Sequence, residues 1–244
     1  MIHLLALQNI RGRYARSVLG QFWLTLSVAF LIGVTGVVWS MIWGMTIDEY
    51  LPYIGTGHVI FLYISVTISE STTVIVNDAR LYVNERQPFL LSIFAHQYRA
   101  VITLAHNIPI IVVLVLWSSS VGPAFDPLYP IYFALVILFL FFLSYCFAIL
   151  ATRYRDLIQL IGSIMQISFL ISPVMWNISM LPAEARPWVF ANPIAAGLEL
   201  LRNPLIGWDV DPLAIQSMLF WTIFAAIAAV ILHRVWDRST IYWI

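Results

Sequence analysis

The chain has 244 residues, of which 61% are hydrophobic and only 10% are charged, and its formal net charge is zero. A soluble domain carries roughly 25% charged residues, so this composition excludes a water-exposed globular surface and indicates a protein that lies in lipid. The zero net charge does not favour a nucleic-acid partner. The single cysteine, Cys146, excludes a disulfide or a cysteine metal site within the chain.

Residues 1–20 have the pattern of an amphipathic helix. Their apolar side chains recur at helical spacing and form one stripe, made of Leu4, Leu7, Ile10, Tyr14 and Val18. Arg13 and Arg16 fall opposite this stripe, and Arg11 lies near its edge. The pattern predicts a helix in the cytoplasmic membrane interface; the alternative is a basic flank that only orients the first span.

Six apolar segments are long enough to cross a bilayer core, which takes roughly 20 residues in a helix. In chain order they are about Phe22–Met45, Tyr53–Val76, Tyr98–Ser118, Leu128–Ala151, Leu157–Trp176 and Leu213–Val235. The predicted fold is therefore an all-α membrane protein with six transmembrane helices, in a single domain over residues 1–244.

The arginines decide the predicted orientation, because basic residues are enriched in cytoplasmic loops. All 12 basic residues are arginine. With six spans, the side opposite the termini receives only Arg186 and Arg202, and every other arginine falls on the side of the termini. Both termini are therefore predicted to be cytoplasmic.

The longest predicted cytoplasmic loop is Asp78–Gln97. It mixes charged with apolar residues and is longer than a turn requires, which indicates a docking surface for a soluble partner. Its charged candidates for this contact are Arg80, Glu85 and Arg86. The alternative is a solvated elbow between two spans.

A much shorter cytoplasmic turn joins the fourth and fifth predicted spans. It contains Arg153, Arg155 and Asp156. Charged residues are tolerated there because a turn at the membrane surface remains in water. Asp156 can pair with Arg153 at the i, i+3 spacing.

Residues 177–207 are apolar but are interrupted by Pro182, Pro187, Pro193 and Pro204. Each uninterrupted piece is too short to span, and non-helical backbone at membrane depth persists only where protein or water covers it. The segment therefore predicts short re-entrant helices on the outer side, with 186–190 and 194–201 as candidates. The alternative is an exposed loop.

Sequence motifs for catalysis are absent. The chain contains no G-x-x-x-x-G-K-[ST] phosphate loop, no H-E-x-x-H and no G-x-S-x-G, so we assign no catalytic, cofactor-binding or metal-binding residues. Glu70 and His106 lie at similar depth in adjacent spans. Because ionisable groups inside a membrane usually pair or face water, they are a candidate pair; the alternative is two separate groups near the headgroups.

Aromatic residues make up 15% of the chain, and several lie near predicted span ends. Flat aromatic faces can contact sugar rings weakly, whereas an interfacial belt facing lipid is the alternative. The candidates for channel or gate contacts are Trp39, Trp43, Tyr63, Trp176 and Trp188.

Several stretches share their order and spacing with one family. They are RYARSVLGQFW (Arg13–Trp23), EYLPYIGTG (Glu49–Gly57), HNIPI (His106–Ile110), RYRDLIQLIGSIMQISFLISPVMW (Arg153–Trp176), NPIAAGLELLRNPLIG (Asn192–Gly207) and the terminal IYWI. Together they resemble the permease subunit of ABC-2 type polysaccharide exporters, the O-antigen, teichoic-acid and capsule group.

The resemblance implies a homodimeric channel in a bacterial inner membrane, with two separate ATP-binding cassette subunits beneath it. Those subunits would hold ATP and Mg²⁺, so this chain itself is expected to carry no cofactor. The resemblance also implies an N-terminal interface helix, a coupling helix within Asp78–Gln97 and outer gate helices after span five.

We therefore interpret the chain as the channel subunit of an ATP-driven exporter of a lipid-linked polysaccharide. One alternative is an ABC-2 permease for a small molecule or lipid, which the aromatic content disfavours. An intramembrane enzyme is disfavoured by the missing motifs. A secondary transporter would rest only on Glu70 and His106.

Overall fold

The computed structural model describes residues 22–79, 82, 87–122, 126–240 and 243. Every regular element in these ranges is a helix, which confirms an all-α membrane protein. The α-helices are α1 (Phe22–Trp43), α2 (Ile47–Ser71), α3 (Val74–Asn77), α4 (Phe89–Trp117), α5 (Tyr129–Arg153), α6 (Asp156–Ile171), α7 (Arg186–Phe190), α8 (Pro193–Arg202) and α9 (Pro212–Thr240).

Two groups of predicted residues lie outside the described residues. One is the interface helix over residues 1–20, with Arg11, Arg13 and Arg16. The other is the charged part of the predicted coupling loop, which comprises Arg80, Glu85 and Arg86.

Five of the helices are long and apolar enough to cross a membrane, namely α1, α2, α4, α5 and α9. Helix α6 is apolar but has only 16 residues, so its length is about 24 Å against a hydrocarbon core of about 30 Å. The predicted fifth span, Leu157–Trp176, is thus a shorter helix followed by non-helical backbone. Within the described residues, the six predicted spans thus correspond to five helices of spanning length and to the shorter helix α6.

Long-range hydrogen bonds show which helix termini lie together. At one end, the carboxylate of Asp48 in α2 accepts hydrogen bonds of 2.5 to 3.0 Å from the backbone N–H and hydroxyl groups of Ser119 and Ser120 after α4. At the other end, the hydroxyl of Ser92 in α4 donates to Asp78, just after α3, at 2.5 Å. We call these the Asp48 end and the Asp78 end.

Helix α2 forms the centre of the bundle. Within its most apolar window, 72% of the residues are buried, compared with 22% for α1, α4 and α9. Its buried side chains, such as Ile54, Ile60 and Ile64, share one core with residues of α1, α4, α5, α6, α8 and α9. The outer helices therefore keep much of their apolar surface for lipid or for another protein chain.

Helix α4 begins earlier than predicted, at Phe89 directly after Pro88. Phe89 and Ile93 are buried in a second apolar cluster with Tyr82 and with residues of α5 and α9, and the rings of Phe89 and Tyr82 lie 4.6 Å apart. Residues 89–97 of the predicted loop are helical because they bury an apolar face. The predicted loop Asp78–Gln97 therefore includes the first nine residues of α4.

Helix α6 ends at Ile171 because Pro173 follows two residues later. The residue before a proline disfavours helical backbone, and Ser172 is extended, with ψ of 149°. Residues 172–174 are nevertheless buried, so their backbone groups need partners other than helical ones.

Residues 177–207 contain the two short helices predicted there, α7 and α8. Helix α8 begins at Pro193 and is capped by Asn192, whose side-chain oxygen accepts a hydrogen bond of 3.0 Å from the backbone N–H of Ile194. All of α8 after its first residue is buried, whereas Trp188 of α7 is 82% exposed. Gly207 ends the segment with φ of 76°, a conformation that glycine adopts without strain.

Candidate functional site

One face of α6 is polar although the helix is otherwise apolar. Gln159, Ser163 and Gln166 recur at helical spacing and are exposed. The side-chain amides of the two glutamines make no hydrogen bond to any other residue in the described ranges. A polar side chain that faces hydrocarbon without a partner is costly, so this face requires water or polar protein surface against it.

A second polar stripe lies opposite, on α2. His58, Ser65 and Ser69 share one helix face, and each is only partly buried. Between α2 and α6 lies a groove of about 550 Å³. Its lining consists of His58, Phe61, Leu62, Ser65, Ser69, Gly162, Met165, Gln166, Phe169 and Leu170. We call this the α2–α6 groove.

The environment of His58 is a second argument that water enters the groove. The His58 ring packs edge-on against Phe169, with centroids 5.3 Å apart. Its Nδ1 atom is buried and has no hydrogen-bond partner among the described residues. Buried polar atoms are normally satisfied by protein or by ordered water, so a water in the groove is the expected partner. The lining of the groove is thus largely apolar, with His58, Ser65, Ser69 and Gln166 as its polar members.

The groove's α6 wall is fixed at the Asp48 end by three buried side chains. The hydroxyl of Tyr53 donates to the carbonyls of Pro173 and Trp176, at 3.1 and 2.8 Å. The hydroxyl of Tyr50 donates to the carbonyl of Met175 at 2.6 Å. The guanidinium of Arg202 donates to the carbonyl of Pro173 and lies 4.1 Å from the centre of the Tyr53 ring. We call these three side chains the Tyr–Arg clamp.

Arg202 of the Tyr–Arg clamp also forms a buried ion pair with Glu199, which lies one turn earlier in α8. Arg202 and Glu199 are 1% and 3% exposed, and their charged groups lie 3.5 Å apart. Asn203 donates to the Glu199 carboxylate at 2.7 Å. Burial raises the pKa of Glu199 above its ordinary value, and the charge of Arg202 acts in the opposite direction.

Sequence reasoning placed Arg202 in the outer segment but assigned neither it nor Glu199 to a site. Their i, i+3 spacing within an otherwise apolar stretch could have indicated a buried ion pair, since charged residues are almost never fully buried unless paired. The carbonyl to which Arg202 donates, that of Pro173, lies 29 residues earlier in the chain, and no local pattern indicates this contact.

At the Asp78 end, α2, α3 and α4 enclose a polar pocket of about 290 Å³. Glu70 and Arg99 form an ion pair in it, at 2.8 Å, and Arg99 also lies 3.1 Å from Nδ1 of His96. Nδ1 of His106 lies 2.8 Å from the carbonyl of Ile102, and the predicted contact of Glu70 with His106 stays a prediction. His106 lies seven residues beyond Arg99, about 10 Å farther along α4.

The five aromatic candidates occupy different environments. Trp39 and Trp43 stack on each other, with ring centroids 6.0 Å apart. Trp176 donates its indole N–H to the carbonyl of Leu170 at 3.1 Å, and Trp188 is almost fully exposed. Tyr63 is only 5% exposed, so its position in the core does not fit a role in a channel wall.

The turn after α5 also differs from the prediction. The guanidinium of Arg153 lies 4.9 to 5.4 Å from the ring centres of Tyr154, Trp236 and Trp243. It forms no ion pair with Asp156, which lies in the first turn of α6. The guanidinium of Arg153 therefore contacts three aromatic rings instead of Asp156. Two of these rings, Trp236 and Trp243, come from the C-terminal part of the chain.

Metal ligands are not clustered in the part of the chain that the structure describes: no group of three or more His, Cys, Asp or Glu side chains is placed to hold an ion. The Tyr–Arg clamp, the α2–α6 groove and the pocket at the Asp78 end each join residues that are distant in the sequence.

A family model described as ABC-2 type transporter matches residues 2–206. The matched range includes the α2–α6 groove, the Tyr–Arg clamp and the pocket at the Asp78 end, and it stops before α9. A comparison with curated proteins found no match.

Proposed function

This chain belongs to the ABC-2 type transporter family as a multi-pass membrane subunit, and we propose that it exports a lipid-linked polysaccharide of the O-antigen kind. Membrane subunits of this family are not catalytic themselves, and the ATPase generally lies in a separate subunit. The proposed complex contains two copies of this chain and two ATP-binding cassette subunits. It lies in a bacterial inner membrane with both termini of this chain in the cytoplasm, an orientation supported by the arginine distribution.

The observation that carries the proposal is the α2–α6 groove. Gln166 on the polar face of α6 and the His58 stripe on α2 give a single chain one partly polar wall. A polar wall in a membrane protein faces water or a protein partner. Two such walls, one from each copy in a homodimer, would enclose a hydrated path along the bundle.

The character of the groove supports a polymer as cargo. A linear polysaccharide must move without stopping, so it needs a wet path that lacks a tight binding site. The groove offers hydroxyl and amide groups beside the aromatic rings of Phe61 and Phe169, which can contact successive sugar rings weakly. The resemblance of the sequence to polysaccharide exporters supports the same cargo.

Hydration of the α6 face can be measured by cysteine labelling, because Cys146 is buried and can first be replaced by alanine. In that background, Gln166→Cys is expected to react with a membrane-impermeant maleimide several-fold faster than Ile164→Cys. Both positions are exposed in the single chain but lie on opposite sides of α6, so they differ in whether water reaches them. Equal and slow labelling of both thiols would contradict a hydrated groove.

We expect the ATP-binding subunit to dock on the predicted coupling residues near the Asp78 end. Replacing Glu85 and Arg86 together by alanine should leave membrane insertion unchanged and abolish co-purification with the ATPase. A matched control replaces Asp209 and Asp211 at the Asp48 end. If the Glu85 and Arg86 variant still co-purifies with the ATPase and still exports, docking occurs elsewhere.

A lipid or small amphiphile is the second candidate cargo, and the apolar part of the groove favours it. Leu62, Met165 and Leu170 alternate with the polar groups, and this mixture also suits a molecule with an acyl chain. The two cargoes differ in size: a polymer occupies the whole groove during transport, whereas an amphiphile occupies it briefly. Chemical identification of what contacts Gln166 separates them.

A further inference from the structure

Arg153 lies at a membrane boundary whichever way the protein is oriented. It is the last residue of α5, which has 25 residues and is apolar enough to span. A helix of that length extends about 37 Å, which exceeds the hydrocarbon core of about 30 Å. The end of α5 therefore reaches the level of the lipid headgroups, and it lies at the Asp78 end, because Ala148 and Ile149 pack in one cluster with Val74 of α3.

Three aromatic rings hold the guanidinium of Arg153. The ring centres of Trp243, Trp236 and Tyr154 lie 4.9, 5.1 and 5.4 Å from its central carbon. The rings of Trp236 and Trp243 are perpendicular, with centroids 5.6 Å apart. These distances are within the range of cation–π contacts, so the side chain is fixed in position although Arg153 is exposed.

The N–H groups of Arg153 are not used by this arrangement. Aromatic faces attract the cation but accept no strong hydrogen bond, and a guanidinium carries five N–H donors in one plane. Within the described residues, Arg153 makes no hydrogen bond or ion pair. By contrast Arg99, Arg186 and Arg202 each pair with a carboxylate.

We propose that Arg153, held by Tyr154, Trp236 and Trp243, binds the phosphate group of a lipid in the leaflet at the Asp78 end. Phosphate is the acceptor that lipid headgroups present at this depth, and a planar guanidinium can bind two of its oxygens at once. The rings keep the guanidinium in place, which lowers the entropy lost on binding.

Two classes of lipid present a phosphate group to Arg153. One is an anionic phospholipid of the bilayer, whose binding does not depend on the proposed cargo. The other is a carrier lipid linked to the cargo through phosphate, and only this source rests on the proposed function. The two are separated by measuring each lipid on the same purified protein.

The test is native mass spectrometry of the full chain in detergent, titrated with phosphatidylglycerol, with diacylglycerol as the phosphate-free comparison. Arg153→Gln is expected to raise the Kd for phosphatidylglycerol about tenfold, the usual effect of losing hydrogen bonds to a charged group. Arg155→Gln is the matched control, because Arg155 lies in the same turn and is exposed but contacts no aromatic ring of the residues that the structure describes. Binding of diacylglycerol should be the same in all three proteins.

A second variant tests the role of the aromatic rings, and a second lipid tests the source of the phosphate. Trp236→Leu retains the guanidinium and should weaken phosphatidylglycerol binding less than Arg153→Gln does, with gel filtration showing that the fold is kept. If Arg153→Gln weakens only the binding of a polyisoprenyl phosphate, the source is the carrier lipid. Unchanged binding of both lipids by Arg153→Gln, or an equal loss in Arg155→Gln, would overturn the proposal.

Discussion

Replacing Arg202 by leucine is expected to destabilise the protein by about 3–5 kcal/mol, because it leaves the buried carboxylate of Glu199 without its charge partner. The change also removes a donor from the carbonyl of Pro173, and both effects act at the Asp48 end of α6. Arg202 is 1% exposed, so water cannot replace it. The loss would be measured as reduced thermal stability of the purified, membrane-inserted protein.

The matched control is Arg186→Leu, which breaks the pair with Asp211. That pair is 3.8 Å long and its arginine is 45% exposed, so its loss should cost only about 0–1 kcal/mol. Replacing Glu199 and Arg202 together by leucine should be less harmful than replacing Arg202 alone, since no isolated charge remains. If Arg202→Leu unfolds at the same temperature as Arg186→Leu, the Tyr–Arg clamp does not stabilise the end of α6.

Gly162→Trp is expected to reduce export per inserted protein to near background. Gly162 lines the α2–α6 groove, and a Cβ atom added there meets nothing within 4 Å. The Cβ atom therefore fits without disturbing the backbone, and the indole is expected to extend into the groove and block the proposed path. Export would be measured as surface glycan divided by the amount of inserted permease.

Gly33→Trp provides the control for size and hydrophobicity. Gly33 is also open around its Cβ position, but it lines an apolar depression between α1, α2 and α4. Its variant should insert and export normally. Normal export by Gly162→Trp, or an equal loss in both variants, would mean that the cargo does not pass through the α2–α6 groove.

The positions of most spanning helices could be predicted from the sequence because burial in lipid requires long apolar runs, and such runs are local features. Short helices in the outer segment were also predictable, because prolines limit their length. The end of α6 was not, since Leu157–Trp176 is apolar enough on average to predict one span, and average hydropathy does not show that Pro173 stops the helix.

The candidate site was only partly predictable because its contacts join distant residues. The hydroxyl of Tyr53 donates to two carbonyls about 120 residues later in the chain, and nothing near Tyr53 in the sequence indicates these partners. Glu70 was singled out as a group that needs a partner, and the structure pairs it with Arg99, which lies 29 residues later in the chain. The polar face of α6 was readable from the spacing of Gln159, Ser163 and Gln166, although the α2 wall opposite it was not.

The most direct measurement of the central claim is photocrosslinking from the groove during export. A photoreactive amino acid replaces Gln166 in one variant and Ile164 in the other, and cells that contain the ATPase partner are irradiated. The account predicts glycan-bearing adducts at position 166 that depend on ATP hydrolysis, and none at position 164. Adducts at position 164 alone, or adducts at position 166 that carry only lipid, would contradict a polysaccharide path along the α2–α6 groove.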